Sequence, residues 1–492
     1  MSCEMGAWLS ADLYLRPRLS QYMGEIVQET DALLAMVSGL GSPLNVLVPR
    51  QIVDNYAKYR EVYGKHHLGG TIYFAHKANR SSALVRELAA SEAGVDVASL
   101  AELRHALSAG FSGDRIMATG PKSAEFLWLA ARCGAVVNAD SREELVQLGE
   151  LLTAHALPRV RVMLRLSAFE SRGVPVLSRP SRFGCHEREI TDLLDVVDKY
   201  RDVFNLLGVS YHLDTIGLVE KALALEGCLR AMRECRQRGY NPFAVDIGGG
   251  YGANYLADQE EWERYTTELG NAVLGNRPPL TWQNHGYGLR VEAGTLRGAL
   301  GLYPSYRPVA GERYLDELLS GEAPSLRRSL ATLLLENLYD LHIEPGRALV
   351  DQCGLTLTLV EEVRTTSSGD PLVRVGANSR DISLEEHAVL VDPILVRANP
   401  AGEGTGRPTG VYLSGNLCLE DDLITRRKVF LPHRPAPGDL LVFANTAGYF
   451  MDFAADHALM QPVARKVAMF RDGGTWRWCL DEEYWPTKGS RA

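Results

Sequence analysis

Between residues 72 and 247 short apolar runs alternate with amphipathic helical runs. This alternation restricts the fold more than any other feature of the chain. Ile72–Phe74, Val95–Val97, Ile116–Ala118, Ala135–Val137, Val160–Leu166, Leu207–Leu213 and Phe243–Ile247 read as strands. Between them, helices are expected from Ser82, from Ser99, after Ser123, from Ser141, near Glu187–Tyr200 and over Val219–Arg238. Ser99 with Glu102, and Ser141 with Glu144, have the spacing of a capping box, in which two side chains satisfy orphan amides of the first helical turn. Short strands separated by helices require parallel pairing with helical crossovers. With a further strand at Leu341–Ile343 the units number about eight, which suggests a (β/α)8 TIM barrel rather than an open sheet.

The rhythm breaks over 252–340. Helix-like runs, Glu260–Val273 and Ser325–Leu338, surround an aromatic, Gly/Pro-rich segment, and the stretch is expected to be an insertion on a barrel loop. Beyond Glu344 the runs Leu355–Val363, Pro371–Val375, Ala388–Leu395, Val411–Leu413, Asp439–Ala444 and Trp476–Cys479 are short and turn-bounded, which predicts an all-β domain. The expected division is therefore an N-terminal segment over 1–44 with a helix at Gln21–Met36, packed with the C-terminal domain; a barrel over 45–350; and a C-terminal β-barrel or β-sandwich over 351–492.

A net charge of −9 disfavours nucleic acid or an anionic membrane as partner, because both need basic patches. No run has the apolar length of a membrane span, and the acidic N-terminus lacks the pattern of a secretory signal. The 8 cysteines show no C-x-x-C spacing, so neither a metal site nor a disulfide framework is suggested, and a cytoplasmic location is expected.

In a barrel of this kind the C-terminal strand ends carry the site. Those ends hold Lys77, Asp96, Ser99, Arg165, His212, Thr215, Gly248-Gly249-Gly250 and Glu344-Pro345-Gly346-Arg347. A single lysine after a strand is ordinarily a solvated surface residue. Six polar strand ends in order are harder to explain by packing. A lysine held out of bulk water can attack a carbonyl. A triple glycine lets backbone amides approach an anion, and an arginine such as Arg347 suits phosphate. Nucleophilic lysine and phosphate cradle together suggest pyridoxal phosphate. Glu344 would then keep the pyridine nitrogen protonated, and His212 would lie over the ring, although its apolar neighbours also suit a packed core histidine.

With these residues in place the chain resembles the fold-type III pyridoxal-phosphate decarboxylases that act on ornithine, diaminopimelate and arginine. That barrel is alanine racemase-like. FAHKAN resembles the family's lysine motif, GVDVASLAEL its G-x-D-x-A-S-x-x-E-L segment, SRFGC its S-K-F-G segment and YHLDT its F-H-V-G-S segment. DIGGG resembles the glycine loop, EPGR the glutamate–arginine motif, and GNLCLEDDL, PGDLLVF and AGY the motifs of the β domain. The resemblance implies that Lys77 forms the internal aldimine, His212 stacks on the cofactor and Glu344 pairs with the pyridine nitrogen. It implies that Gly248, Gly249, Gly250, Gly346, Arg347 and Tyr449 hold the phosphate, with Asp96, Arg165 and Thr215 also lining the cofactor site. It implies a homodimer with shared active sites, in which Cys418 protonates the quinonoid carbon after CO2 leaves. A small-molecule amino acid is the implied substrate.

Two positions depart from the family pattern. Leu419 stands where an acidic residue binds the distal amine of a diamino acid, and a leucine makes burying an ammonium costly. Glu420, Asp421 and Asp422 are the acids left nearby, so Leu419, Glu420 and Asp422 are the expected substrate contacts. Asp214 places a carboxylate where glycine is usual, close to the expected phosphate. The substrate thus stays open between a free diamino acid, a modified amino acid and one tethered to a carrier protein. A racemase or epimerase on the same fold, which Glu344 disfavours, and a catalytically inactive homologue are the alternatives.

Overall fold

The computed structural model describes residues 13–171, 174–175, 181–213, 215–399 and 408–486. Asp214 and Cys3 lie outside them, so the expectation for Asp214 is not addressed by the structure. The chain divides into two compact units, each built from separated stretches. One contains 52–252 and 309–349, and the other contains 13–51, 253–308 and most of 350–484.

Among the described residues the first unit is a barrel of eight parallel strands. They are β1 (Tyr73–Ala75), β2 (Gly94–Val97), β3 (Ile116–Ala118), β4 (Val136–Ala139), β5 (Val160–Ser167), β6 (Phe204–Tyr211), β7 (Ala244–Asp246) and β8 (Asp340–His342). Each pairs with the next in order. Closure comes at β8 and β1: Ile72 bridges Ile343, and the Tyr73 amide donates to the Ile343 carbonyl at 2.8 Å. The floor is apolar. Tyr73, Met117, Val136, Met163, Leu207 and Ala244 form one buried cluster contributed by six strands. Gly94 is required there, since a methyl group at that position would lie 2.4 Å from the Tyr73 ring.

The helices start where the serines predict. Ser81, Ser99, Ser123 and Ser141 each accept from a backbone amide three residues on. The expected reciprocal contacts are shifted by one residue. Glu102 accepts from the Ala98 amide at 2.6 Å, and Glu144 from that of Asp140 at 3.1 Å. Each therefore anchors the strand-to-helix turn as well as the helix.

The second unit is β-rich. Its sheet runs Leu423–Leu431, Thr409–Ser414, Pro371–Val375, Gly354–Thr365, Leu44–Leu47, Arg465–Asp472 and Thr475–Leu480, with Leu440–Ala444 also paired to Gly354–Thr365 and to Ile394–Val396. The strands Leu423–Leu431 and Arg465–Asp472 escape the sequence reading because charged residues interrupt their apolar pattern. Leu44–Leu47 belongs to this sheet although it precedes the barrel, pairing Leu44 with Leu357 and with Arg465. Helices Gln21–Gln28 and Thr30–Leu40 bury Ile26, Val27, Leu33, Met36 and Val37 in the same core.

The stretch read as one insertion over 252–340 is divided between the units. Residues 253–308 build the β unit: helix Gln259–Val273 buries Tyr265, Leu269 and Ala272 in a core with Val411, Leu413 and Phe443. Residues 309–349 build the barrel, supplying helices Gly311–Ser320 and Leu330–Glu336 and strand β8. The apolar face of each helix was legible, but the partner that covers it was not.

Candidate active site

Lys77 sits on a single 3-10 turn, His76–Ala78, directly after β1. The turn is held by its neighbours. His76 is buried, its Nε2 is hydrogen-bonded to His105 Nδ1 at 2.7 Å, and His105 Nε2 lies 3.1 Å from Ser82 Oγ. His76 Nδ1 stands 3.5 Å from a Glu102 carboxylate oxygen. Asn79 Oδ1 accepts from the Ser81 amide at 2.8 Å. The residue before the lysine is thus bolted to helix Leu100–Ser108, while Lys77 itself is exposed.

Three carboxyl groups share the barrel end with Lys77. Asp96, at the end of β2, is buried and accepts from Thr119 Oγ1. Burial raises its pKa, against the pull of Lys77 and Arg165. Asp246, ending β7, is fully buried, and its pKa is pushed up to about 7, first by burial and then by Asp96. Glu344, just after β8, is raised well above the ordinary glutamate range by burial and by Asp246 and Asp96, with Lys77 and Arg165 opposing. A carboxyl group in such surroundings favours a partner that brings positive charge or a proton.

His212 follows β6. Burial, reinforced by Lys77, Arg165 and Lys221, lowers its pKa to about 3, so its ring is neutral at physiological pH. Its Nδ1 accepts from the Gly249 amide at 3.1 Å, which fixes the ring beside the glycine turn and places the ring hydrogen on Nε2. The turn tolerates only glycine. Gly248 and Gly250 have φ of 65° and 90°. A methyl group at Gly248 would come within 2.8 Å of His212 Nδ1, and one at Gly249 within 2.7 Å of the Glu344 carbonyl. The turn therefore touches the His212 and Glu344 backbones at once.

Arg165 donates to Asp140 at 3.0 Å, and its guanidinium lies 5.0 Å from the centre of the Phe183 ring, so the SRFGC segment packs on it. Thr215 Oγ1 accepts from the Gly217 amide at 3.0 Å, and its hydroxyl hydrogen can still be donated. Gly346 accepts from the Leu349 amide at 3.0 Å, starting the turn that carries Arg347. The barrel thus gathers Lys77, Asp96, Arg165, His212, Thr215, Gly248, Gly249, Gly250, Glu344, Gly346 and Arg347 on one unit. This donor set fits pyridoxal phosphate. An amine on a hydrogen-bonded turn, a half-buried carboxyl group of raised pKa, a neutral imidazole and a glycine-only turn for an anion match its aldehyde, ring nitrogen, ring face and phosphate.

The other expected residues lie on the β unit. The turn 415–422 is organised by Asp422, which is buried and accepts from the amides of Leu417 at 2.8 Å and Ser379 at 2.9 Å. Gly415 is obligatory, because a methyl group there would meet the Asp422 carboxylate at 2.2 Å. Cys418, Leu419 and Glu420 project from this clamp and are exposed. Tyr449 adopts φ of 76° and packs its ring against Phe453 and His387.

Asp246 and Lys221 were not singled out as functional in the sequence. Asp246 was visible as the first residue of DIGGG, and Lys221 is an unremarkable helix residue until its burial is known.

Comparison with known proteins points to one family. The family described as pyridoxal-dependent decarboxylase, pyridoxal binding domain, matches residues 50–295. An uncharacterized protein of Sinorhizobium fredii is 31% identical over 88% of both chains. A diaminopimelate decarboxylase of Methanothermobacter thermautotrophicus is 29% identical over 85% of this chain and 84% of its own. Among solved structures, diaminopimelate decarboxylase from M. jannaschii superposes with a TM-score of 0.69 at 19% identity, covering 91% of each chain. The arginine decarboxylase of Paramecium bursaria Chlorella virus gives 0.63 at 19% identity, covering 87% of this chain and 96% of its own.

Proposed function

The chain belongs to the pyridoxal-dependent decarboxylase family, and from that premise we propose that it removes the α-carboxyl group of an amino acid whose distal end carries no free ammonium. It is a pyridoxal-phosphate-dependent amino-acid decarboxylase of the diaminopimelate, arginine and ornithine type. The observation that carries the narrower reading is Leu419, exposed at 52% on the rigid turn beside Cys418.

When bound, pyridoxal phosphate supplies an electron sink for the pair left behind as CO2 departs. Lys77 offers the amine that would hold its carbonyl carbon. Glu344, held where a bare charge is disfavoured, would keep a proton at the ring nitrogen. His212, neutral, would cover one ring face without repelling that proton. The glycine turn, Thr215, Gly346, Arg347 and Tyr449 would hold the phosphate, with Asp96 and Arg165 at the margin. Cys418 of a second copy would deliver a proton to Cα, so that a homodimer shares its sites. We assign Asp422 to shaping this turn rather than to substrate contact, because both its carboxylate oxygens already accept from backbone amides. Leu419 and Glu420, exposed on the turn, would meet the distal end of the substrate.

Solved diaminopimelate decarboxylases have been crystallised with L-lysine and the viral arginine decarboxylase with agmatine, both ligands with cationic distal groups. An exposed leucine cannot pair with such a group. A side chain that is acylated, or tethered to a carrier protein, avoids the problem. No helix among the described residues is long and apolar enough to cross a membrane.

The test is CO2 release from meso-diaminopimelate, lysine, ornithine and arginine beside their distally acylated forms. Turnover of an acylated form at least about tenfold above any free diamino acid is expected. Efficient turnover of free lysine or diaminopimelate would overturn the Leu419 argument.

A further inference from the structure

Lys221 lies in the first turn of helix Leu218–Gln237 and is fully buried. A cation there opposes the positive end of the helix dipole and loses its hydration, so the position is unfavourable twice over. Its ammonium donates to the Gly249 carbonyl. The rings of Tyr251 and Tyr314 lie 4.9 and 5.5 Å from Nζ. Those rings are fixed in turn: Tyr251 donates to the Gly248 carbonyl and Tyr314 to the Ile216 carbonyl, each at 3.0 Å. The lysine is therefore built into the underside of the glycine turn, where a methyl group at Gly250 would lie 3.1 Å from Nζ.

The turn's own amides do not all remain for an anion. That of Gly248 donates to Asp246 at 2.7 Å, and that of Gly249 to His212 at 3.1 Å. The next amide, at Gly250, belongs to the same peptide group as the carbonyl that Lys221 grips. A cation on a peptide oxygen polarises that peptide and makes its N–H a stronger donor. Gly250 is exposed, whereas Lys221 is buried.

We propose that Lys221 is a positioning residue for the cofactor's phosphate: from inside the barrel wall it polarises the Gly249–Gly250 peptide and adds a fixed positive charge to a turn whose other two amides are engaged. This rests on reading the glycine turn as the phosphate site.

The test compares full-length protein, freed of cofactor, for binding pyridoxal phosphate and pyridoxal, which lacks the phosphate. Wild type should prefer pyridoxal phosphate strongly. Lys221→Met should weaken pyridoxal phosphate about tenfold or more and leave pyridoxal within about twofold. Lys221→Gln, which keeps a donor without the charge, should fall between and serves if the methionine variant does not fold. Equal weakening of both ligands, or an unchanged preference, would reduce Lys221 to a structural role and overturn the proposal alone. A wild type that binds both ligands equally would overturn the phosphate reading of the turn itself.

Discussion

The barrel end and the turn 415–422 are both built around buried carboxyl groups, but they use them in opposite ways. In the barrel, Asp96, Asp246 and Glu344 crowd one another and have raised pKa values. That arrangement stores unfavourable electrostatics that a cationic or protonated ligand can relieve. In the turn, both oxygens of Asp422 accept from backbone amides, so its buried carboxylate is satisfied by the chain itself. The first favours a cationic or protonated partner, and the second is a scaffold that presents Cys418 and Leu419. The contrast matches the proposed division between residues that would bind the cofactor and residues that would meet the substrate.

The comparison breaks most visibly at Lys77. Lys77→Ala is expected to abolish the visible absorbance of the bound cofactor and lower CO2 release on the order of 10⁴-fold. Retained absorbance would remove the lysine from its role. Cys418→Ala is expected to keep full cofactor absorbance while slowing turnover about a hundredfold. Mixing these two variants under subunit exchange should recover about a quarter of the wild-type rate, since a dimer with shared sites regains one intact site only in the mixed species. Recovery of nothing would argue against sites shared across the dimer.

Smaller effects sharpen the contrast between the carboxyl groups. Asp422→Asn leaves one amide without an acceptor and should lower stability by about 1–3 kcal/mol, read by denaturant unfolding, with cofactor absorbance unchanged. Asp246 should behave differently. Its folded pKa, about 7, lies above the ordinary value of 3.8, so the folded state binds more protons than the unfolded state between those values. Stability of the cofactor-free protein therefore contains a contribution from Asp246 that is present below about pH 4 and is lost as pH rises through about 7. Asp246→Asn should flatten this part of a Tm-versus-pH curve. An unchanged slope would show that Asp246 is not destabilised by its surroundings.

The barrel was legible because strand-and-helix alternation and serine caps are local signals, and β1 to β7 fall within a few residues of the predicted runs. The Ala388–Leu395 run was legible only in part: Ile394–Val396 is a strand, but the residues before it are not. The insertion was misread because amphipathicity announces a buried face without naming what covers it. Helix Gln259–Val273 and the strand Leu44–Leu47 both complete a sheet core whose other members lie far along the chain.

The sequence alone pointed to the family chemistry, because the motifs around Lys77, Glu344, the glycine turn and Cys418, each weak by itself, are specific in combination. Only the tertiary structure decided which carboxyl groups are strained and which are satisfied, and that Lys221 stands beneath the Gly249 carbonyl. The physical reason is that charge acquires its energy from burial and from neighbours brought together by folding. Neither burial nor those neighbours can be read from the order of residues.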